Sequence, residues 1–334
     1  MRGSPLAILL AATASCVAAA CSAQSAAEHS ASPVMPAPAD ALDSGNPSTA
    51  QHLYVANFYG SDVTIYKVGA SGNAAPSATI GGALTGLYHP SAVAIDSNGF
   101  IYVGNFEQVG GDVVVFAAGS SGDATPAKTL TGPTGFVMGP DELAVDSAND
   151  LYIAEANARI DVFAPTATAT SAPLRSIVGP NTGLMDPTGV ALDGGKHVWV
   201  SDAGANAVFE FSEGAKGDVK PIKTISGSNT GLDNPNNIAL DSSGRIYVSQ
   251  ESGHDVEEFA ANANGNVAPT ATYPAGPEMP TSASVRGDRL FVGEISVPTV
   301  FYAVDVLDTG TLVKNHTLDG SATGLDWPAS AVQR

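Results

Sequence analysis

The sequence has almost no cysteine. Its 334 residues include two, Cys16 and Cys21, and both lie close to the N-terminus. A fold built from the rest of the chain therefore has no disulfide bond, no zinc site with thiolate ligands and no cysteine nucleophile. Any metal or catalytic chemistry in that fold must come from oxygen and imidazole groups.

Basic residues are also scarce. The chain carries 14 lysine and arginine residues against 33 aspartate and glutamate residues, a formal net charge of -19. A field of this sign repels a phosphate backbone, so it excludes nucleic acid as a partner and direct electrostatic binding to an anionic membrane. The acidic balance suits calcium or a cationic ligand. It equally suits an exported protein that only needs to stay soluble.

Near the N-terminus, no hydrophobic run is long enough to span a bilayer. The apolar stretch from Pro5 to Ala14 falls short of the roughly 20 residues required. It follows Arg2 and precedes small residues, which is the pattern of a bacterial secretory signal. The segment Val17 to Cys21 resembles a lipobox, which implies lipidation of Cys21 and, with Ser22 next, an outer-membrane lipoprotein held to the membrane only by its lipid. Cleavage beyond Cys21 would instead give a periplasmic or secreted protein.

Residues 22–50 are rich in alanine, serine and proline and contain almost no large apolar side chain. Such a segment cannot bury a core, so we expect a disordered tether. The sequence therefore divides into a signal peptide over residues 1–21, a tether over residues 22–50 and a folded domain over residues 51–334.

The folded domain contains a repeat. A short apolar run that ends in a polar residue occurs as LYVAN, IYVGN, LYIAE, VWVSD, IYVSQ and LFVGE. Successive copies are 48, 50, 47, 48 and 44 residues apart, as subtraction along their aromatic positions shows. A period in the forties built of short strands is the signature of propeller blades. The aromatic positions, which we expect to be buried between blades, are Tyr54, Tyr102, Tyr152, Trp199, Tyr247 and Phe291.

The second copy shows how one blade is built. Four extended runs are predicted over Ala92–Ile95, Ile101–Gly104, Val113–Phe116 and Ala127–Leu130. A tight turn over Asp96–Gly99 joins the first two runs, because Asn-Gly supplies the dihedral angles of a hairpin. Each first, inner strand is expected to follow a proline. These prolines are Pro90, Pro140, Pro187, Pro235, Pro280 and Pro328.

The two ends of the domain complement each other. The first copy starts at a second strand, His52 to Asn57, and lacks an inner strand, whereas Pro328 to Gln333 form an inner strand with nothing after it. Pairing these segments closes the ring and leaves no open repeat. We therefore predict an all-β, six-bladed β-propeller of four-stranded antiparallel blades, closed by the C-terminal strand, and expect a monomer.

This pattern resembles the NHL and YVTN repeat families. The segment Leu53–Asn57 with Val63–Tyr66 is similar to the YVTN repeat, and Pro235–Val248 is similar to the NHL repeat. The resemblance covers about residues 52 to 334 and implies a β-propeller. It implies no single activity, since members of these families include binding scaffolds, enzymes and many exported proteins.

The polar ends of the second strands are the first candidate site. In a blade of this connectivity these ends and the starts of the inner strands meet on one face, around the mouth of the central channel. Asparagine and aspartate at such places often fix the following loop, and they also form a candidate ligand-binding rim. The six residues are Asn57, Asn105, Glu155, Asp202, Gln250 and Glu294.

The starts of the inner strands vary more, and two of them offer hard oxygen ligands. These are Asp141 with Glu142 and Asn236 with Asn237, a set of carboxylates and amides that suits calcium. The two segments are similar to the metal-bearing strands of the SMP-30/gluconolactonase propellers, which implies a calcium-dependent lactonase or related hydrolase. In that family the asparagine precedes the aspartate on neighbouring blades. Here the aspartate comes first, and a blade that begins with Thr188 lies between.

Other catalytic arrangements receive no support. The histidines occupy different phases of the repeat, so we expect no zinc site built from them, and there is no GxSxG motif for a serine nucleophile. We therefore expect a non-catalytic propeller at the cell envelope that binds a small ligand or an envelope protein at its channel face. A calcium-dependent hydrolase is the alternative, and docking of a partner on the outer rim is a third.

Overall fold

The computed structural model describes residues 51–106, 111–132, 139–275, 278–296 and 301–333. These residues form six four-stranded antiparallel sheets. Among them there is no helix with the length and hydropathy of a membrane span. The predicted signal peptide (1–21), its Cys21 and the predicted tether (22–50) lie outside the described residues. The prediction of an all-β, six-bladed propeller is confirmed.

In each blade the strands run from an inner strand at the central channel to an outer strand at the edge. Blade 1 contains β24 (Pro328–Gln333), β1 (His52–Asn57), β2 (Asp62–Lys67) and β3 (Ala78–Gly81). Blade 2 contains β4 (Pro90–Ile95), β5 (Ile101–Asn105), β6 (Asp112–Phe116) and β7 (Lys128–Leu130). Blade 3 contains β8 (Pro140–Val145), β9 (Leu151–Glu155), β10 (Arg159–Phe163) and β11 (Arg175–Val178).

The second half of the ring has the same strand order. Blade 4 contains β12 (Pro187–Leu192), β13 (Val198–Asp202), β14 (Ala207–Phe211) and β15 (Lys223–Ser226). Blade 5 contains β16 (Pro235–Leu240), β17 (Ile246–Gln250), β18 (Asp255–Phe259) and β19 (Ala271–Pro274). Blade 6 has longer strands, and it contains β20 (Met279–Arg286), β21 (Arg289–Ser296), β22 (Phe301–Asp308) and β23 (Val313–Asp319).

The ring closes through the last strand. β24 pairs antiparallel with β1, so that Tyr54 lies opposite Val332 and Val55 opposite Ala331. The inner strand of blade 1 is therefore supplied by the far end of the chain, as the complementary ends predicted. This pairing leaves no blade without its inner strand.

The turn between the inner and second strands is fixed by an aspartate. In blade 2, Asp96 Oδ1 accepts the N–H groups of Asn98 and Phe100, both at 2.9 Å. Asp146, Asp193 and Asp241 accept equivalent bonds in blades 3 to 5. The short polar side chain replaces the backbone partners that a tight turn leaves unsatisfied.

Five of the six inner strands begin at the proline itself rather than after it, and β20 begins one residue earlier, at Met279. In blade 2, Pro90 pairs with Asn105 and Ala92 pairs with Gly104, which leaves Ser91 in a β-bulge. Five of the inner strands have this irregularity at the proline, and β24 has its own at Pro328. A bulge re-aims the extra residue, and here that residue is directed toward the channel mouth or the next blade.

The core lies between the blades. Tyr54 is only partly buried, contrary to the prediction, whereas Phe291 is 7% exposed and Tyr102, Tyr152, Trp199 and Tyr247 are at most 2% exposed. They pack against the strands of the neighbouring blade. A fully buried large side chain stabilises the fold by about 1.5–3 kcal/mol, so the six interfaces together hold the ring.

Candidate functional site

The residue that follows each inner-strand proline, which the bulge displaces, defines six clasp positions. In blades 2, 4 and 6 this residue carries a hydroxyl, which donates to the carbonyl of the proline that starts the next blade. Thr188 Oγ1 donates to Pro235 O at 2.8 Å, and Thr281 Oγ1 donates to Pro328 O at 2.6 Å. Blades 1, 3 and 5 alternate with them and have no hydroxyl here. The six clasp residues are Ser91, Asp141, Thr188, Asn236, Thr281 and Ala329.

A cavity of about 190 Å³ opens at the channel mouth, next to the clasp positions. We call it the mouth cavity and define it by Phe58, Phe106, Trp327, Asp141, Asn236 and Glu251. A second cavity of about 250 Å³ lies deeper, between the six inner strands. Asn237 lines both cavities, so the two are neighbours along the channel.

One backbone hydrogen bond recurs around the mouth and aligns the blades. The residue after each second strand donates its N–H to the carbonyl of the residue before the inner-strand proline. Phe58 donates to Trp327 at 3.0 Å, and Phe106 donates to His89 at 3.1 Å. The equivalent pairs in blades 3, 4 and 5 are Ala156 with Gly139, Ala203 with Asp186, and Glu251 with Asn234.

The residues that form this hydrogen bond differ from blade to blade, so the mouth is asymmetric. Blades 1 and 2 place aromatic rings at both positions, whereas blades 3 and 4 place small or acidic residues there. The Phe58 ring stacks on His89 with 4.6 Å between centroids, and Tyr59 meets Trp327 edge-on at 5.4 Å. We call Phe58, Tyr59, His89, Phe106 and Trp327 the aromatic wall. Its mutual contacts hold the rings in fixed orientations.

Two residues of the aromatic wall have left-handed backbone conformations. The φ angles of His89 and Trp327 are 44° and 58°, in the region that side chains other than glycine and asparagine seldom adopt. Asn234 occupies the equivalent place in blade 5 with a φ of 59°. The wall therefore uses bulky rings where the local backbone favours asparagine or glycine.

Two carboxylates, Asp141 and Glu251, line the mouth cavity together with residues of the aromatic wall. Among the residues that the structure describes, the Asp141 side chain accepts no hydrogen bond and forms no ion pair. Burial, and then the nearby charges of Asp186 and Glu142, raise the pKa of Asp141 well above its ordinary value. Burial also raises the pKa of Glu251, which His254 partly opposes. An acid in this setting is stabilised by any cation that reaches it.

Below the mouth, two of the predicted metal ligands meet. The Asn237 amide donates through Nδ2 to Glu142 Oε2, while the other oxygen of Glu142 accepts the Leu143 N–H at 2.9 Å. Burial raises the pKa of Glu142 to about 8. Blade 4 lies between blades 3 and 5 but does not separate Glu142 from Asn237. Its residue at the height of this contact is Gly189, where an added Cβ would lie 2.9 Å from Asn237 Cα.

The other two predicted ligands, Asp141 and Asn236, line the mouth cavity directly above this pair. The structure therefore brings all four predicted metal ligands to one end of the channel. Asn237 Oδ1 accepts the Ile238 N–H at 2.6 Å, so the amide presents nitrogen to Glu142 rather than oxygen. Calcium binding by these residues stays a prediction.

The polar residues predicted at the ends of the second strands are buried; in blade 6 the strand continues past Glu294 to Ser296, and Glu294 lies beside Asp305 of the next strand. Asn105 Oδ1 accepts the Tyr88 N–H at 3.0 Å. Asp202 accepts the backbone N–H groups of Met185 and Asp186 at 2.8 and 3.0 Å. Direct contact of these side chains with a ligand stays a prediction. The six residues, at most 4% exposed, are Asn57, Asn105, Glu155, Asp202, Gln250 and Glu294.

One histidine does meet two acids, on the opposite side of its blade. His197 Nδ1 lies 2.9 Å from Asp193 Oδ2 and 3.5 Å from Glu210 Oε1. Lys223 Nζ already pairs with Glu210 at 2.8 Å and lies 5.0 Å from the Trp199 ring centroid. Because this ammonium group already occupies the cluster, we interpret the cluster as an ion-pair network that stabilises the blade.

Comparison with solved structures finds propellers. The chain is similar to a protein of unknown function from Bacteroides caccae, with a TM-score of 0.62 and 10% identity over 85% of this chain and 99% of that one. It is also similar to the WD40 β-propeller domain of Doa1, with a TM-score of 0.55 and 12% identity over 80% and 79% of the two chains. These identities show the fold alone.

A third similar structure is a protein from Lactobacillus plantarum, with a TM-score of 0.53 and 12% identity over 80% of this chain and 82% of that one. No protein-family model and no curated sequence matches the chain. The resemblance to NHL and YVTN repeats therefore stays a prediction.

The aromatic wall was not among the sequence-predicted sites. Its residues lie one step outside the motifs that defined the repeat, directly after a second strand or directly before an inner-strand proline. The signal is present in the sequence: aligned with Phe58 and Phe106, blades 3 and 4 have Ala156 and Ala203. Comparing these flanking positions between copies would have found it.

Proposed function

We propose that this protein is a non-catalytic binding propeller whose ligand enters the mouth cavity. The asymmetry of the mouth carries the proposal. A repeat that serves only as a scaffold has no reason to place rings on two blades and leave alanine on the next two. Partly exposed rings beside an acid that has no hydrogen-bond partner among the described residues are typical of sites that orient a ligand.

The geometry favours binding over catalysis. Within the described part of the mouth cavity no hydroxyl or imidazole lies in hydrogen-bonding contact with an acid, an arrangement that would activate a nucleophile. The Thr188 and Thr281 hydroxyls donate to backbone carbonyls instead. The aromatic wall supplies area and shape, which give affinity without chemistry.

The two tryptophans allow a direct test. Trp199 is buried between blades, whereas Trp327 defines the mouth cavity. The Trp199→Phe protein is screened with sugars, amines, carboxylates and nucleosides for compounds that raise its melting temperature. We expect these compounds also to change the emission of Trp327. The same compounds should protect Trp327 from quenching by acrylamide.

The control variants come from the fold itself. Phe106→Ala copies the residue that blades 3 and 4 use at this place, so it should fold and yet weaken binding. Phe100→Ala removes an exposed ring at the opposite end of blade 2, outside the cavity, and should leave binding unchanged. Stabilising compounds that leave Trp327 emission unchanged and bind the Phe106→Ala variant equally well would place the site elsewhere and contradict the proposal.

A calcium-dependent hydrolase is the second candidate, because Glu142 touches Asn237 and two more oxygen-bearing residues lie just above them. Calcium would need the Asn237 amide turned so that its oxygen faces the ion. We expect calcium, under this alternative, to raise the melting temperature of the wild type but not of Glu142→Gln. A wild-type melting temperature that calcium leaves unchanged removes this candidate.

We further infer from residues 1–21 that the propeller works at the cell envelope. A lipobox-like segment that ends at Cys21 is the support for this inference. Mass spectrometry of the mature N-terminus tests it, because a diacylglycerol-modified Cys21 and a cleaved, unmodified N-terminus differ in mass.

A further inference from the structure

The size of the mouth cavity restricts what it holds. Its volume of about 190 Å³ is below the roughly 300–1,000 Å³ of sites for drug-sized ligands. A water molecule takes about 30 Å³, so the cavity has room for a group of a few non-hydrogen atoms. The group that enters is a small ligand or the compact end of a larger one.

The charge around the cavity restricts the ligand further. Among the described residues that line it, Asp141 and Glu251 are acidic and none is lysine, arginine or histidine. Asn234 lies within 3.5 Å of Glu251, whereas no described residue donates a hydrogen bond to Asp141, which is close to the further acids Asp186 and Glu142. An anionic ligand would be repelled at this place, and a cation would supply the missing counter-charge.

The aromatic wall restricts the kind of cation. Phe58, Phe106 and Trp327 contribute rings to the lining, and rings give no oxygen ligand to a metal ion. Calcium takes six to eight oxygen ligands, whereas an organic ammonium group gains from aromatic faces within about 6 Å and from contact with apolar surface. The stacking of Phe58 on His89 fixes one ring before any ligand arrives, which lowers the entropy cost of binding.

We propose that the mouth cavity binds an organic ammonium group, quaternary or methylated, between the aromatic wall and the Asp141 carboxylate. The inference rests on the proposed function and names the ligand class for the same site. It accounts for three features together: the rings on two blades, an acid in the same lining that has no partner among the described residues, and a volume that matches a compact cationic head.

The experiment is calorimetric titration of the purified full chain with tetramethylammonium, choline and 3,3-dimethyl-1-butanol, the neutral isostere of choline. We expect both cations to bind and the isostere to bind at least about tenfold more weakly, because a desolvated cation on an aromatic face contributes up to about 2 kcal/mol. Asp141→Asn should reduce the difference between choline and the isostere.

Two wall variants locate the binding. Phe106→Ala and Trp327→Asn each copy a residue of another blade at the same place, since Ala156 and Asn234 stand there, so both should fold. We expect each to weaken choline binding about tenfold, and Phe100→Ala to leave it unchanged. Melting curves of the variants confirm that they are folded.

The outcomes separate the two proposals. An isostere that binds as tightly as choline, or a protein that binds neither cation at millimolar concentration, overturns the ammonium inference and leaves a mouth site for another ligand. Choline binding that neither Phe106→Ala nor Trp327→Asn weakens places the cation outside the mouth cavity. That result overturns the ammonium inference. It also means that choline binding no longer supports the mouth cavity as the ligand site.

Discussion

Glu294 lies beside a second buried acid, Asp305. The Asp305 carboxylate accepts hydrogen bonds from Tyr273 at 2.7 Å and Thr317 at 2.5 Å, and it pairs with Lys314. Burial, and then the charge of Asp305, raise the pKa of Glu294 well above its ordinary value of 4.5. The folded protein therefore holds the Glu294 proton more tightly than the unfolded chain does.

The stability of the protein should depend on this proton. Because the folded pKa is raised, stability falls as the pH rises from the unfolded pKa toward the folded one. Glu294→Gln removes the ionisation and keeps the shape, so we expect its melting temperature to match the wild type at about pH 4 and to exceed it at about pH 9. Thermal melts followed by circular dichroism across this range measure the difference.

Asp305→Asn is the matched control, because it removes the carboxylate charge that interacts with Tyr273, Thr317 and Lys314. Breaking a buried pair by neutralising one member costs about 3–5 kcal/mol, and this loss should appear at both ends of the pH range. If the Glu294→Gln curve runs parallel to that of the wild type at every pH, the assigned direction of the pKa shift is wrong.

At the level of single residues, sequence reasoning succeeded where a contact is local or follows the repeat. The turn at Asp96 and the burial of Tyr102 were both predictable, because a hairpin aspartate bonds within four residues and an aromatic position that repeats is core. The aromatic wall was not predictable from one copy, because Phe58 and Trp327 are brought together only by closure of the ring.

Among the structural elements, the inner strands differ in how each is tied to its neighbour. Thr188 donates a hydrogen bond to the next blade, whereas Asp141 at the same clasp position receives none from the residues the structure describes and has acids nearby. A residue that stabilised the ring alone would be serine or threonine here. Asp141 therefore lowers the stability of the fold, and at the same time it gives the mouth cavity a carboxylate.

We expect Asp141→Thr to stabilise the protein. The new hydroxyl can donate to the Pro187 carbonyl as Thr188 does to Pro235, and the repulsion from Asp186 disappears. A hydrogen bond of this kind contributes about 1 kcal/mol, which in a domain of this size raises the melting temperature by about 2–4 °C. The same variant should lose the preference for choline over its neutral isostere.

Thr188→Val is the control for this prediction. It keeps the shape of the side chain and removes the clasp hydrogen bond, so it should lower the melting temperature by a similar amount. An Asp141→Thr protein that is less stable than the wild type would show that the carboxylate has a structural partner. It would contradict the inference that Asp141 lowers stability while it serves binding.

The sequence predicted which segments become strands but not how neighbouring blades lock at their edges. The Gly119–Asp123 segment resembles a solvent loop. In the structure, Asp123 Oδ1 accepts the Leu84 N–H of the preceding blade at 2.6 Å, and Gly122 bridges to Ile80. Similar locks join three other junctions through Asp218, Asn266 and Asn73. Such contacts depend on the angle between blades, which no single repeat encodes.

For the whole molecule, closure by β24 is the feature on which everything else depends. Trp327 reaches the aromatic wall because the next residue starts this strand, and Ser330 lies 3.5 Å from Glu142 across the channel. Without β24, blade 1 would lose its inner strand, and the buried face of Leu53 and Val55 would be exposed as an open sheet edge.

Removing the last seven residues should therefore unfold or aggregate the protein. The decisive comparison is a circular permutant in which residues 328–333 precede residue 51 through a short turn, since Gln333 already lies opposite Leu53. The permutant keeps every strand pair and should melt close to the wild type, whereas the truncated chain should show no cooperative transition. A truncated chain with an unchanged melting temperature would mean that the blades hold the ring without a closing strand, and the mouth cavity would then need no help from the C-terminus.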